Sequence, residues 1–340
     1  MEKKQTGALG SVWNWIKNNP IVVLLTVVSL IMGLFVPNFF SFRNLNALIS
    51  NTTIRFLIAL GVSGCLITKG TDLSAGRQVG LAACLAGTLL QDPTYSARMY
   101  HWPEFSIFTA FLIVVALGAF IGLVNGLIIS KLNVPPFIAT LGTQTIVYGV
   151  ALVFTNAQPI GAFKDSYKGF VNGLWFASTE RDGFPGVPYL LAWALIFGVL
   201  FWFIYNKMTH GKYMYAIGGN ENAAEVSGVN TTRTKLLIYV TAGIMYAIAG
   251  FLLAPKSGGA SSNLGQGYEL EAIAGCTIGG VSTTGGIGTV GGVLVGVLVF
   301  ELLKIVLQFL GVNPFYNNIV QGLVIVVAVA VDIRKYVAKK

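Results

Sequence analysis

Stretches of about twenty residues without a charged side chain recur along this chain, and nothing else constrains it as strongly. The run Ile107 to Ile129, IFTAFLIVVALGAFIGLVNGLII, is one of them. A helix needs about 20 mostly apolar residues to cross a hydrocarbon layer ~30 Å thick. In lipid the backbone must satisfy its own hydrogen bonds, so segments of this length cross as helices. Ile21 to Val36, Phe137 to Phe154, Tyr189 to Tyr205, Leu236 to Ala254, Val290 to Leu310 and Ile319 to Val331 read the same way. Leu45 to Thr68, Asp72 to Gln91 and Leu270 to Gly286 are more polar candidates. The expected architecture is an all-α polytopic membrane protein with about ten transmembrane helices. It forms one domain over residues 1–340: six spans in 1–205, a cytoplasmic loop over 206–235 and four spans in 236–340. No small-residue cleavage site follows the first apolar run, so that run reads as a retained span.

Composition excludes the alternatives. Charged residues are 10% of the chain, against about 25% in soluble domains, too few to clothe a water-soluble surface. Three cysteines (Cys65, Cys84, Cys276) lie in apolar stretches and read as small core residues. His101 and His210 sit apart in loops, so neither a metal centre nor histidine catalysis is expected. The 41 glycines suggest close helix packing and broken helices.

Charge orients the spans. With ten crossings both termini share a side, and that side holds 14 of the 22 basic residues and five acids, a net +9. The other side balances Arg43, Arg55, Arg98, Lys164, Lys168, Arg181 and Lys256 against Asp92, Glu104, Asp165, Glu180, Asp182, Glu269 and Glu271. The positive side, which includes Lys69 and Arg77, is therefore the cytoplasmic one. A basic patch of this kind orients the protein and does not call for nucleic acid. Lys304 remains within a span, three residues from Glu301; the two share a helix face and read as a structural pair nearer the inner part of that span, or as a proton relay.

Two segments interrupt the apolar pattern. KGTDLSAGRQ (Lys69 to Gln78) is too polar for mid-bilayer, and Asp72 and Ser74 can cap a helix beginning there, which makes the stretch a gate or a structural hairpin. GGVSTTGGIGTVGG (Gly279 to Gly292) has seven glycines in 14 residues and must press against other backbone. Gly70, Ser74 and Gly76 match Gly280, Thr284 and Gly286 at an offset of 210, a hint of duplicated halves. No G-x-x-x-x-G-K-[ST] occurs, so the chain has no phosphate loop of that kind.

The loop Asn206 to Lys235 offers a partner a handle. Asn220 can cap a helix starting at Glu221, Ala223 and Ala224 promote it, and Gly228 ends it; an ordinary solvated connector is the alternative. In the outer loop Thr155 to Pro188, Tyr167, Trp175 and Phe176 suggest interfacial anchoring or contact with an external protein.

Five runs in order, IALGVSGCLITKGTDLSAGRQVGLAA, VPPFIATLGTQTIVYG, GKYMYAIGGNENAAEVSGVN, NLGQGYELEAIAGCTIGGVSTTGGIGTVGG and GVNPFYNNIVQG, resemble the permease subunits of bacterial sugar ABC importers. The likeness runs from about Phe35 to the C-terminus. TDLSAGRQVGLAA and YELEAIAG make it most similar to the galactose/methyl-galactoside branch. The resemblance implies a homodimer in the bacterial inner membrane, a cytoplasmic ATPase with two cassettes and a periplasmic or lipid-anchored sugar-binding protein. ATP then belongs to the partner, and this chain is non-catalytic and binds no cofactor. Asn222-Ala223-Ala224-Glu225-Val226-Ser227-Gly228 is similar to the EAA-x-x-x-G coupling motif, departing where Asn222 stands for Glu.

A monosaccharide's hydroxyls cost about 1–3 kcal/mol each to strip of water without replacement. A hydrated path is therefore required, which Asp72, Ser74, Asn125, Thr140, Thr143, Gln144, Thr145, Tyr148, Ser282 and Thr284 are candidates to line or gate. For Asn125, Thr140, Thr143, Gln144, Thr145 and Tyr148 the alternative is hydrogen bonding between helices or back to the helix backbone. A proton-coupled secondary transporter using Glu301 or Asp72, and a scaffold without a conduction path, are the rival functions.

Overall fold

Apolar runs become helices, and polar residues at their ends set the boundaries. The computed structural model describes residues 20–178, 184–313, 316, 319–320, 322–327 and 330. Its helices are α1 (Pro20–Phe35), α2 (Phe42–Ile67), α3 (Ala75–Leu89), α4 (Ile107–Ser130), α5 (Pro136–Thr155), α6 (Asp165–Asn172), α7 (Leu190–Lys207), α8 (Thr209–Gly219), α9 (Glu221–Val226), α10 (Thr231–Lys256), α11 (Tyr268–Ile278) and α12 (Val290–Phe309). Ser41, Ser106, Asn230 and Thr289 cap α2, α4, α10 and α12, each accepting a backbone N–H of the first turn. A small hairpin, β1 (Leu174–Trp175) with β2 (Val187–Pro188), is the only sheet among the described residues.

Six helices (α2, α4, α5, α7, α10 and α12) are long and apolar enough to cross a membrane. Large apolar side chains such as Phe120, Ile146, Leu195 and Val199 point outward from α4, α5 and α7, as lipid contact requires. The centre is α10, packed along α4, α3 and α2. Lipid tails give helices no hydrophobic reason to associate, so small residues that let backbones approach do that work. Gly118 of α4 and Gly243 of α10 face each other so closely that a Cβ on either would overlap the other's carbonyl.

Two expected spans differ. Asp72 to Gln91 contains the 15-residue α3, and Leu270 to Gly286 holds only part of the 11-residue α11, which begins at Tyr268. At 1.5 Å per residue these are about 22 and 16 Å long, shorter than the bilayer core. The chain between α10 and α11 explains α11. Ala260 is bridged to Ile160 at one face, and the linker then descends beside α3 until Gly265 lies against Gly76. Gly76 is about 20 Å along α3 from Leu89, so α11 starts deep inside the protein. Irregular backbone at that depth is tolerated because it is covered by α3.

Loops sort onto two faces. Ala260, Gln91 and Phe163 gather at one, with the Lys164 N–H on the Leu90 carbonyl. Ile67, Lys69, Gly219 and Gly286 gather at the other, where the loop 206–235 lies. This is the alternation expected from the sequence. Several charges counted towards one side or the other lie within helices. Arg55 lies mid-way along α2 and Glu271 in the first turn of the deep α11. Arg77 lies in α3, donating to the Ser262 carbonyl and stacking over the Tyr148 ring. Glu301 and Lys304 do pair, at 3.2 Å, but nearer the end of α12 opposite the loop 206–235, not its inner part. Tyr167 is no interfacial anchor: it is fully buried in α6 and donates to the Phe251 carbonyl. His210 is in α8 and not a loop. The three cysteines are free and buried, as expected. The terminal charges Glu2, Lys3, Lys4, Lys17, Asp332, Arg334, Lys335, Lys339 and Lys340, the loop charges Glu180, Arg181 and Asp182, and parts of Ile319 to Val331 lie outside the described residues.

Candidate functional site

The loop 206–235 folds into two short helices. Asn220 is extended, and its side chain accepts the Ala223 N–H at 3.0 Å, starting α9. Gly228, at φ +85°, turns the chain out of the helix, and the Val229 N–H returns to the Ala224 carbonyl. A left-handed residue there costs glycine least. Lys235 at the base of α10 holds Glu221 at 2.5 Å. Ala224 is buried beneath the helix, whereas Asn222, Ala223, Glu225 and Gly228 are exposed. Val226 is 91% exposed, an apolar side chain presented to whatever lies beyond the loop.

Helix α8 joins this exposed helix to the interior. The Tyr215 hydroxyl donates to the Gly288 carbonyl at 2.8 Å, and Lys69 Nζ donates to the Gly219 carbonyl at 3.3 Å. Gly218 packs directly on Gly286 and Ile67. The Gly286 N–H closes the contact by donating to the Ile67 carbonyl. One short helix thus touches both interruptions of the apolar pattern, 68–74 and 279–289, and those interruptions touch each other. Helix α8 therefore meets the 279–289 break through the Gly218 backbone and the Tyr215 hydroxyl, and the 68–74 break through the Lys69 side chain.

The two breaks are built alike. The Ser74 N–H and hydroxyl both donate to Asp72 Oδ1, at 3.0 and 2.5 Å. The Thr284 N–H donates to Ser282 Oγ at 3.2 Å, and the two hydroxyls pair at 2.8 Å. Residues 72 and 74 correspond to 282 and 284 at the offset of 210 seen in the sequence. A second arrangement surrounds the first break. Gln78 and Asn125 both donate to Ser74 Oγ, and Thr143 donates to Asn125 Oδ1 at 2.6 Å. Thr140 accepts the Leu73 N–H and donates to the Thr71 and Pro136 carbonyls. Asp72, Ser74, Asn125, Thr140 and Thr143 therefore form one buried cluster. Ser282 is buried and Thr284 exposed at the other break, and half-buried Gln144 belongs to neither group. Thr145 bonds back to its own helix.

A profile for a family described as the permease component of the branched-chain amino acid transport system matches residues 44–329. The chain belongs to this permease family. It is 45% identical over 332 residues to the galactose/methyl galactoside import permease protein MglC of Salmonella typhimurium, covering 96% of this chain and 97% of that one. The protein of the same name in Escherichia coli K12 is also 45% identical, with the same coverage. The ribose import permease protein RbsC of E. coli K12 is 32% identical over 94% of this chain and 95% of its own. No solved structure matches. This is a multi-pass membrane permease.

Several charged residues of the permease interior were not legible as site residues. Arg55 Nε lies 2.6 Å from both Glu271 and Glu301, and Lys304 Nζ lies 2.6 Å from Glu271. Glu269 is buried against Gly76, with no hydrogen-bond partner for Oε2 among the described residues. The only advance signal was Glu301 and Lys304 within an apolar run. A separate cavity of about 250 Å³ beneath α8, lined by Leu60, Phe201, Met208, Met214 and Ile238, is almost wholly apolar and unsuited to a sugar. No group of His, Cys, Asp or Glu among the described residues could hold a metal ion.

Proposed function

We propose that the chain is the permease subunit of an ATP-driven importer that carries galactose or a methyl galactoside across the bacterial inner membrane. Ten crossings, with the face bearing α9 and both termini in the cytoplasm, are part of this proposal. So is assembly as a homodimer with a two-cassette ATPase and a periplasmic or lipid-anchored sugar-binding protein. The permease binds no cofactor; ATP is bound by the partner. Selectivity sits mainly in the binding protein, and the permease is a two-state gate.

The observation that carries this is the α9–α8 lever. An exposed, capped helix rests on a second helix that contacts both helix breaks. The identity of nearly half the residues, along almost the full length, with galactose permeases supports the cargo. Asn220, Glu221, Ala223, Ala224, Glu225 and Gly228 couple to the ATPase. Asp72, Ser74, Asn125, Thr140, Ser282 and Thr284 hold the breaks that move, and Gln144 lies beside them on α5. The proton-coupled alternative gains nothing from the geometry, because Asp72 is held by Ser74 and Glu301 lies between two cations.

The test is Gly228→Leu together with Glu221→Lys in the assembled importer. The first substitution places a side chain at a left-handed position; the second sets like charge against Lys235. Uptake and binding-protein-stimulated ATP hydrolysis should both collapse while the complex stays assembled. Normal values of both would refute the coupling role.

A further inference from the structure

The cavity of about 250 Å³ beneath α8 has no part in the function assigned above. Gly61 and Gly64 of α2 form its floor, α7 and α10 its walls, and His210 and Met214, one turn apart on α8, its roof. Its polar atoms are already engaged. The Tyr205 hydroxyl pairs with that of Ser63 at 2.7 Å, and the Thr241 hydroxyl donates to the Leu237 carbonyl. An apolar cavity whose polar groups are satisfied stays dry and accepts hydrocarbon. The cavity is not closed. Met208 at the end of α7 is 43% exposed and Leu237 on the opposite wall 40%. It therefore opens sideways between α7 and α10, on a flank where Val199, Leu200 and Phe203 also point outward.

Two cations stand at the mouth. Arg233, Leu237 and Thr241 follow one another at four-residue spacing, so Arg233 lies on the mouth side of α10, one turn nearer the face that carries α9. Lys207 ends α7, and its Nζ lies 5.9 Å from the centre of the exposed Trp202 ring. A tryptophan beside a lysine at a helix end marks the depth of the lipid headgroups. Neither Lys207 nor Arg233 makes an ion pair among the described residues. The nearby acids, Glu221 and Glu225, lie on α9, and Glu221 is held by Lys235.

We propose that this cavity seats one acyl chain of an anionic phospholipid whose phosphate is held by Lys207 and Arg233. Hydrocarbon suits the walls, and two cations with no anion between them suit a negative headgroup. Basic pockets between spans on the cytoplasmic side of membrane proteins hold such headgroups, and the face that carries α9 is cytoplasmic in the function assigned above. The acyl chain fills the space under Met214. A void there would leave that side chain without contacts on one side, so the lipid steadies α8, the helix that joins α9 to both breaks. The site goes beyond the importer function, because it binds lipid whatever the cargo.

The test uses the whole importer with its ATPase, purified with phosphatidylglycerol or with phosphatidylcholine of the same chains, and counts bound lipid by native mass spectrometry. We expect phosphatidylglycerol to be retained and phosphatidylcholine to be lost. Each basic side chain near an anionic headgroup is worth about fivefold in affinity, so Lys207→Gln with Arg233→Gln should weaken phosphatidylglycerol binding about twenty-five-fold. Lys131→Gln, at the end of α4 on the same face, should change nothing. Leu237→Trp, which sets an indole across the mouth, should release the lipid with both cations in place. In phosphatidylcholine vesicles, added phosphatidylglycerol should raise binding-protein-stimulated ATP hydrolysis about threefold or more, and not in the double variant. Equal retention of the two lipids, unaltered affinity in the double variant, or hydrolysis indifferent to phosphatidylglycerol would overturn the proposal. So would a disulfide between two permease copies through Leu237→Cys, which would put protein at the mouth; the native cysteines are buried. If the unmodified importer hydrolysed no ATP, the assigned function would fail while the lipid counts still judged this site.

Discussion

Removing the Glu301 charge tests whether the interior ring of Arg55, Glu271, Glu301 and Lys304 is held by balance or by the number of its contacts. Glu301 is 2% exposed and lies 2.6 Å from Arg55 and 3.2 Å from Lys304. At an effective dielectric of 20 each attraction is worth about 5–6 kcal/mol before the desolvation that offsets most of it. Glu301→Gln leaves two cations facing one carboxylate, Glu271. Breaking a buried pair in this way costs about 3–5 kcal/mol, because an uncompensated charge stays buried. Glu301→Gln with Lys304→Met leaves the neutral Arg55–Glu271 pair, so it should lie within about 1 kcal/mol of the unmodified protein. The assay is detergent-denaturant unfolding of the purified permease followed by tryptophan fluorescence. If the double variant unfolds as easily as the single one, charge balance is not what stabilises the ring, and the reasoning fails.

Three further outcomes follow from other sites. Asn220→Ala removes the α9 cap at a cost of about 1 kcal/mol; on six residues that should sharply reduce coupled uptake while binding-protein docking, measured by co-purification, persists. Gly80→Val should destabilise the permease by about 1–3 kcal/mol in the same unfolding assay, since a Cβ there already overlaps the Leu264 carbonyl. Burial in α8 holds the His210 imidazole below its usual 6.5, so folding favours the neutral ring. That contribution is complete above the unfolded pKa and is lost as pH falls below about 6.5 towards the folded value. His210→Gln should flatten the decline of thermal stability in that window.

The long spans and the coupling helix were legible in the chain because their causes are local. A run such as Ile107 to Ile129 can only be a helix in lipid, and Asn220 with Gly228 marks the start and stop of α9 within nine residues. The polarity of Lys69 to Gln78 and the glycines of 279–292 announced breaks for the same reason. What those breaks touch was not local. Nothing near Gly286 in sequence says that its N–H meets Ile67, or that Tyr215 holds Gly288.

The charges show the division most clearly. Assigning Arg55 and Glu271 to the outer side was reasonable, since a lone charge is costly in lipid. Tertiary structure removed that cost by bringing together groups 216 residues apart, and it could do so only because the linker after Ala260 dives beside Gly76 and Gly80 to start α11 inside the protein. Sequence alone determined that this polypeptide lives in a membrane and offers a capped handle at its surface. The depth of its charges was decided by partners, because the energy of an ion in a low-dielectric interior depends on which groups surround it and not on its neighbours along the chain.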